Sequence, residues 1–213
     1  MKKRIPDFDS FICEGQYSSV TLNISRQYIN EFKDFLNSKK KSFKFLRYIE
    51  IYETCPIYIT TKNDDSIDYA YDMDAGVEWD DDNGWTAMDI NITINKEFFP
   101  MAFNDFIAEI KETIRHEIEH VSQENNPNKY IEIDKTKNER TYAEYILSTE
   151  ELPAYLQGFL VKAKTKKQSM TKIINDFIDN REKCFGGNTK EMEEVKNVLI
   201  KSGQKMFPTA KWD

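Results

Sequence analysis

The segment Phe103 to Gln123 limits the possible folds of this chain more than any other, because it has the periodicity of a long amphipathic helix. At about 100° per residue, its apolar side chains fall on one stripe of the helix surface. They belong to Phe103, Phe106, Ile107, Ile110, Ile114, Ile118 and Val121. A helix with one apolar face has to cover another layer of structure. The rest of the chain must therefore supply a core on which this helix packs.

The sequence before this helix predicts mainly β-strands with one helix. Alternation of apolar and polar residues predicts strands at Ser19 to Ile24, Phe43 to Tyr52, Ile57 to Thr60 and Met88 to Ile94. Between the first two strands, Ser25 is the candidate N-cap of a helix that ends near Asn37. The stretch Asp64 to Asn83 is acidic and typical of turns, and it ends in an Asn-Gly pair that suits a hairpin.

The sequence after Gln123 predicts helices only. They run from Thr141 to Leu147, from Glu150 to Lys166, from Ser169 to Lys183, and from a capping box at Asn188 and Glu191 to near Gly203. Strands followed by helices predict an α+β fold. We expect one domain over residues 1–213, with mainly strands and one helix in 1–102 and mainly helices in 103–213.

The composition narrows the classes of partner and compartment. The formal net charge is -7, and an acidic chain is repelled by phosphates, so we expect no nucleic-acid partner. No apolar run approaches the length of a membrane span and no secretory signal is visible, so we expect no membrane partner. Cys13, Cys55 and Cys184 form no close pair in sequence, which favours the reducing cytoplasm.

Residues 116–120 of the long helix read His-Glu-Ile-Glu-His, the HExxH pattern. Positions one turn apart lie on the same helix face, so the imidazoles of His116 and His120 can converge on one metal ion. Zinc binds imidazole nitrogen readily, and in catalytic sites it keeps one position open. Glu117 can then accept a proton from a water molecule at that position. The pattern therefore predicts a zinc site with Glu117 as general base.

The placement of Glu117 on the helix supports this interpretation. It projects onto the border of the apolar stripe next to Phe106, with His116 and His120 just beyond that border. A carboxylate at the edge of a core is unfavourable unless a partner compensates it, and a zinc site would supply one. The alternative is an exposed helix that carries two unrelated histidines.

The third zinc ligand has to be a carboxylate or, less favourably, a cysteine, because the chain contains only two histidines. The helix that starts near Glu150 could project a carboxylate back to the motif helix. Glu151 is the preferred ligand and Glu150 the alternative, since Ala154 lies one turn beyond Glu151 and would allow close helix packing. Another alternative is that Ser148 and Glu151 form a capping box.

The segments RHEIEH (Arg115 to His120) and ELPAY (Glu151 to Tyr155) together resemble the zincin metallopeptidases of the glutamate-ligand type. They look closest to small HExxH proteins of phages and bacteria that carry a downstream Glu-x-x-Ala-Tyr helix. The resemblance implies a small mixed β-sheet packed on the motif helix and followed by a helical C-terminal part. It also implies that the edge strand of the sheet, here Met88 to Ile94, aligns the substrate.

The same resemblance implies roles for individual residues. His116, His120 and Glu151 would hold zinc, Glu117 would be the base, and the substrate would be a peptide or protein. Many relatives place an Asp four residues after the ligand Glu to orient a histidine, whereas Tyr155 stands there in this chain. Tyr155 is a candidate donor to the oxyanion, as are two further tyrosines, Tyr142 and Tyr145.

Two other functions fit part of this pattern. A zincin-fold protein without catalysis could bind zinc and serve a structural or partner-binding role, for example in a phage particle. A deformylase would also carry HExxH, but it needs an upstream cysteine ligand in a Glu-Gly-Cys context. Neither Cys13, after Phe-Ile, nor Cys55, after Glu-Thr, matches that context.

Overall fold

The structure is a computed structural model that describes residues 8–51, 53–80, 85–124, 141–185 and 189–213. In these ranges it has a mixed α+β architecture, as the sequence predicts. The elements are α1 (Phe8–Leu36), β1 (Ser42–Ile51), β2 (Glu53–Asn63), β3 (Tyr71–Asp80), β4 (Trp85–Ile94), α2 (Phe99–Glu124), α3 (Tyr142–Ile146), α4 (Glu151–Lys166), α5 (Met170–Phe185) and α6 (Thr189–Met206). Among the described residues, no helix is both long and apolar enough to span a membrane.

The chain divides into two compact units, Met1–Val121 and Ser122–Asp213. The first contains the sheet, α1 and most of α2, and the second contains the last turn of α2 and the helices α3 to α6. Because α2 continues through the boundary at Val121, one unbroken helix belongs to both units. The predicted capping box for the last helix lies outside the described residues, since Asn188 is not among them.

The first helix is longer than predicted, and the strand predicted at Ser19 to Ile24 is wrong. These residues lie inside α1, and Ser25 is an internal residue of that helix rather than its N-cap. The Oγ of Ser25 donates a hydrogen bond to the carbonyl oxygen of Thr21 at 2.6 Å. Both side chains lie on the buried face of α1. Polar residues on that face break the apolar periodicity by which the helix could have been recognised.

Four strands form one mixed sheet in the order β1-β2-β4-β3. β1 pairs antiparallel with β2, β2 pairs parallel with β4, and β3 pairs antiparallel with β4. The expectation that Met88 to Ile94 forms the edge strand is therefore wrong, because β4 lies between β2 and β3. Within the described part of the chain, the edges are β1 and β3.

The edge strand β3 was predicted as part of an acidic turn region, and this prediction is also wrong. Its residues alternate between two environments. Tyr71, Met73, Ala75 and Val77 pack against the core, whereas Asp72, Asp74 and Glu78 are exposed. One of the inward residues is a small alanine, and a glycine follows it. The alternating apolar pattern typical of a strand is therefore weak, and the acidic residues dominate the sequence of this segment.

The core of the first unit is formed by α1, α2 and one face of the sheet. The predicted apolar stripe of α2 is confirmed, since Phe106, Ile110, Ile114, Ile118 and Val121 are fully buried. Burial of this stripe fixes the rotation of α2 about its axis. The HExxH residues are thereby held at a defined angle to the sheet.

Two side-chain contacts align α2 with β3. The hydroxyl of Tyr71 donates a hydrogen bond to Oε2 of Glu109 at 2.6 Å. One turn further along the helix, Oγ1 of Thr113 contacts Sδ of Met73 at 3.3 Å. From the first contact to the second, the residue number increases on β3 and also on α2. The strand and the helix therefore run side by side in the same direction.

The second unit packs its helices around a separate core, to which Ile146, Leu156, Phe159, Ile174, Val195 and Leu199 contribute. Thr141 is the N-cap of α3 and forms a capping box with Glu144. The C-terminal end of α4 is closed by Lys167 in the left-handed conformation, with φ 56°. The helix predicted from Glu150 to Lys166 is confirmed with a start at Glu151.

Asp89 on β4 gives a pH-dependent prediction for stability. Its pKa is raised, mainly by burial and secondarily by the nearby carboxylate of Glu78. Because the pKa of Asp89 is higher in the folded state than in the unfolded state, stability is lost as the pH rises through the folded-state pKa. Asp89→Asn is therefore expected to raise the free energy of unfolding at pH 7. The gain should vanish at a pH below the ordinary value of 3.8. Urea denaturation at both pH values measures this, and an equal gain at low pH would contradict it.

Candidate metal centre

His116 and His120 lie one turn apart on α2, and their rings face a common point. Their Nε2 atoms are 3.0 Å apart. The ring centroids are 4.8 Å apart, and the ring planes make an angle of 73°. Both side chains are half-buried. Two imidazole nitrogens this close together offer two ligands to one ion.

Glu151 supplies the third donor of the group. One ligand atom from each of His116, His120 and Glu151 lies within 4.8 Å of the others. Glu151 is 9% exposed, and it is the first residue of α4. Among the described residues, these three side chains form the group whose ligand atoms could hold a metal ion. The group contains Glu151 and not Glu150.

The N-terminal end of α4 is fixed by hydrogen bonds within the second unit. The backbone N–H of Glu151 donates to Oγ of Ser148 at 3.1 Å. The Nε2 of Gln123, in the last turn of α2, donates to the carbonyl oxygen of Glu150 at 2.9 Å. The bond to Ser148 is one of the two bonds of the predicted capping box, but the N-cap of α4 is Glu150, which makes no side-chain cap hydrogen bond. The carboxylate of Glu151 belongs to the group that could hold a metal ion.

The chemistry of the donors fits zinc. Two imidazoles and one carboxylate are the protein ligands of many catalytic zinc ions, which keep a fourth position for water or substrate. Cysteine is not needed as a ligand: Cys55 is buried on β2, where burial raises the pKa of its thiol to about 11 and disfavours the thiolate. The side chains of Cys13 and Cys184 lie outside what the structure describes.

Glu117 occupies the border position that the helical periodicity predicts. Its side chain is 5% exposed, between the fully buried stripe and the half-buried histidines. The location suits a proton acceptor that works beside the two histidines.

Sequence reasoning missed a buried ion pair on the same helix. Glu119 is only 6% exposed and Arg115 only 1% exposed. Nη2 of Arg115 donates to Oε2 of Glu119 at 3.0 Å, and its guanidinium lies 5.6 Å from the ring centroid of Tyr17. The four-residue spacing of opposite charges was the available signal. The pair ties together the two turns of α2 that carry His116 and His120.

Tyr155 is held in an aromatic cluster of the second unit. Its ring centroid lies 5.8 Å from that of Phe159 and 5.2 Å from that of Phe177. Burial, and then the neighbouring Tyr142 and Tyr145, raise the pKa of its hydroxyl. The phenol is therefore neutral over the physiological range and retains a proton to donate. The carboxylate of Glu151 also raises this pKa, as a smaller contribution.

Tyr142 and Tyr145 differ in their surroundings. Burial raises the pKa of Tyr142, and the guanidinium of Arg181 acts in the opposite direction. That guanidinium lies 5.4 Å from the ring centroid of Tyr142. Tyr145 is 42% exposed. Arg181 was not predicted from the sequence, and no motif surrounds it that could have identified it.

Comparison of the chain with protein-family models, with curated proteins and with solved structures finds no match.

Proposed function

We propose that this protein is a zinc-dependent hydrolase of peptide bonds with a zincin-like fold. The observation that carries the proposal is the grouping of His116, His120 and Glu151, whose ligand atoms lie within 4.8 Å of one another. The histidines and Glu117 come from one HExxH segment, and the carboxylate of Glu151 comes from another helix. Two imidazoles, a carboxylate and an adjacent buried glutamate are the parts that zinc-assisted hydrolysis requires.

His116, His120 and Glu151 would hold the zinc ion. When bound, zinc polarises the scissile carbonyl and makes the attacking water more acidic. Glu117 then accepts a proton from that water and passes it to the leaving amine. The neutral hydroxyl of Tyr155 is the proposed donor to the developing oxyanion, with Tyr142 and Tyr145 as alternatives.

The substrate-aligning strand in this proposal is β3, in place of β4. Glu109, Thr113, His116 and His120 are spaced by four, three and four residues, so they form one stripe of α2. The first two contact β3, and the histidines continue the same stripe. A peptide on the free edge of β3 would therefore run beside the metal-binding turn.

The alternative is a zinc-binding protein of this fold without catalysis. Tyr155 favours it, because a tyrosine stands where many zincin metallopeptidases of the glutamate-ligand type place the Asp that orients a ligand histidine. A structural or partner-binding role would keep the three metal ligands and lose turnover.

One experiment separates the two functions. The purified protein is loaded with zinc, its metal content is measured, and it is incubated with a mixed peptide library before and after chelation. We expect about one zinc per chain, as a single three-residue site requires, and cleavage that stops on chelation and returns with zinc. Stoichiometric zinc without cleavage would support the binding role, and absence of zinc binding would contradict both.

A further inference from the structure

The outer face of β3 carries a row of exposed carboxylates. Asp72, Asp74 and Glu78 are exposed, and they alternate with side chains that pack on the core. Between the last two lies Gly76, where an added Cβ would have nothing within 4 Å. The row is therefore open and is interrupted by a gap with no side chain.

Carboxylates of α2 lie near the start of β3. The phenol of Tyr71 donates to Glu109 on α2, and its pKa is raised by burial, then by Glu109, Asp105 and Glu112. Three carboxylates of α2 thus raise the pKa of the same phenol, at the first residue of β3. Neighbouring charges of one sign add their potentials, and a low-dielectric wall such as α2 strengthens them.

The opposite edge of the sheet lacks this charge pattern. The exposed residues on the same face of β1 are Lys44, Leu46, Tyr48 and Glu50, one base and one acid with two apolar side chains. The acidity of β3 is therefore a local property and does not simply follow from the net charge of the chain.

The backbone of β3 can accept another strand. The carbonyl oxygen of Ala70 accepts a hydrogen bond from the backbone N–H of Asn95 at 3.0 Å. In an antiparallel pair, the direction of backbone groups alternates along the strand. The backbone N–H and C=O groups of the even-numbered residues of β3 therefore point to β4. Those of Met73, Ala75 and Val77 point to the outer edge of the sheet. No other strand in the described ranges pairs with that edge.

We propose that the free edge of β3 binds an extended, lysine- or arginine-rich polypeptide segment, and that Asp74 and Glu78 select its basic side chains. This inference rests on the proposed function, which supplies the peptide substrate, and it adds that the peptide is positively charged. A strand added at this edge places every second side chain on the outer face, directly beside these carboxylates. The gap at Gly76 leaves room for a long side chain to lie across the strand.

The test measures binding of labelled peptides by fluorescence polarisation. The protein is the zinc-loaded Glu117→Gln variant, so that the peptides are not consumed. Three peptides of about ten residues carry Lys, Gln or Glu at alternate positions and are otherwise identical. We expect the Lys peptide to bind about tenfold or more tighter than the Glu peptide at low salt. The difference should shrink at high salt, because the carboxylates are exposed.

Charge reversal on each edge locates the binding site. Asp74→Lys is expected to reduce the ratio of Lys-peptide to Glu-peptide affinity by about tenfold. Glu50→Lys, on the outer face of β1, makes the same change in net charge and should leave the ratio unchanged. Equal responses to both substitutions, or equal binding of all three peptides, would overturn the inference.

The outcome is separable from that of the proposed function. If wild-type protein cleaves the Lys and Glu peptides equally well, the hydrolase stands and the charge selection by β3 is wrong. If the Lys peptide binds with the expected response to Asp74→Lys and is never cleaved, the β3 site stands and the hydrolase is wrong.

Discussion

Glu117→Gln is expected to lower the rate of peptide hydrolysis by about 10²- to 10⁴-fold, while zinc binding is unchanged. The amide has nearly the same shape as the carboxylate, but it cannot accept the proton of the attacking water. Glu117 is not one of the three grouped ligands, so the metal should remain. The rate is measured as kcat/KM on a cleaved library peptide, and zinc is measured by elemental analysis of the same preparation.

The matched control for this variant is Glu50→Gln, which removes one carboxylate from an exposed position on β1. It should retain wild-type turnover and zinc. Near wild-type hydrolysis by Glu117→Gln would show that another group acts as the base. Loss of zinc from the same variant would show that Glu117 contributes to the metal site in another way.

Glu151→Ala is expected to weaken zinc binding by about 100-fold or more, whereas Glu150→Ala should leave it nearly unchanged. Loss of residues that merely support a ligand already weakens metal binding by about 10- to 100-fold, so loss of a ligand should have at least this effect. The two positions are adjacent at the start of α4, and Glu151 is the one that groups with His116 and His120. The comparison therefore separates metal ligation from effects on the helix terminus.

Zinc-dependent stability gives a second measurement on the same pair of variants. A ligand at 100 times its Kd stabilises the folded state by about 2.7 kcal/mol, so zinc should raise the Tm of the wild type and of Glu150→Ala. Glu151→Ala should show little response at that concentration. Equal zinc-induced shifts in both variants would exclude Glu151 as a ligand.

Local periodicity predicted the parts of the fold whose sequence matches their environment. The α2 stripe, β1 and β4 were found because the buried side of each is almost wholly apolar. The polar face of α1 at Thr21 and Ser25 is buried, and the segment Ser19 to Ile24 of that helix was mistaken for a strand. The acidic face of β3 is exposed, and that strand was mistaken for a turn.

For the candidate metal centre, the sequence by itself determined that His116 and His120 share one helix face, because a helical spacing of four residues fixes which side chains lie on the same side. The order of the strands, the burial of Glu119 and the grouping of Glu151 with the two histidines depended on the tertiary structure. Each of these depends on which distant segments pack together. Such contacts cannot be predicted from residues that are neighbours in sequence, because the contacts form only when the whole chain buries its apolar surface.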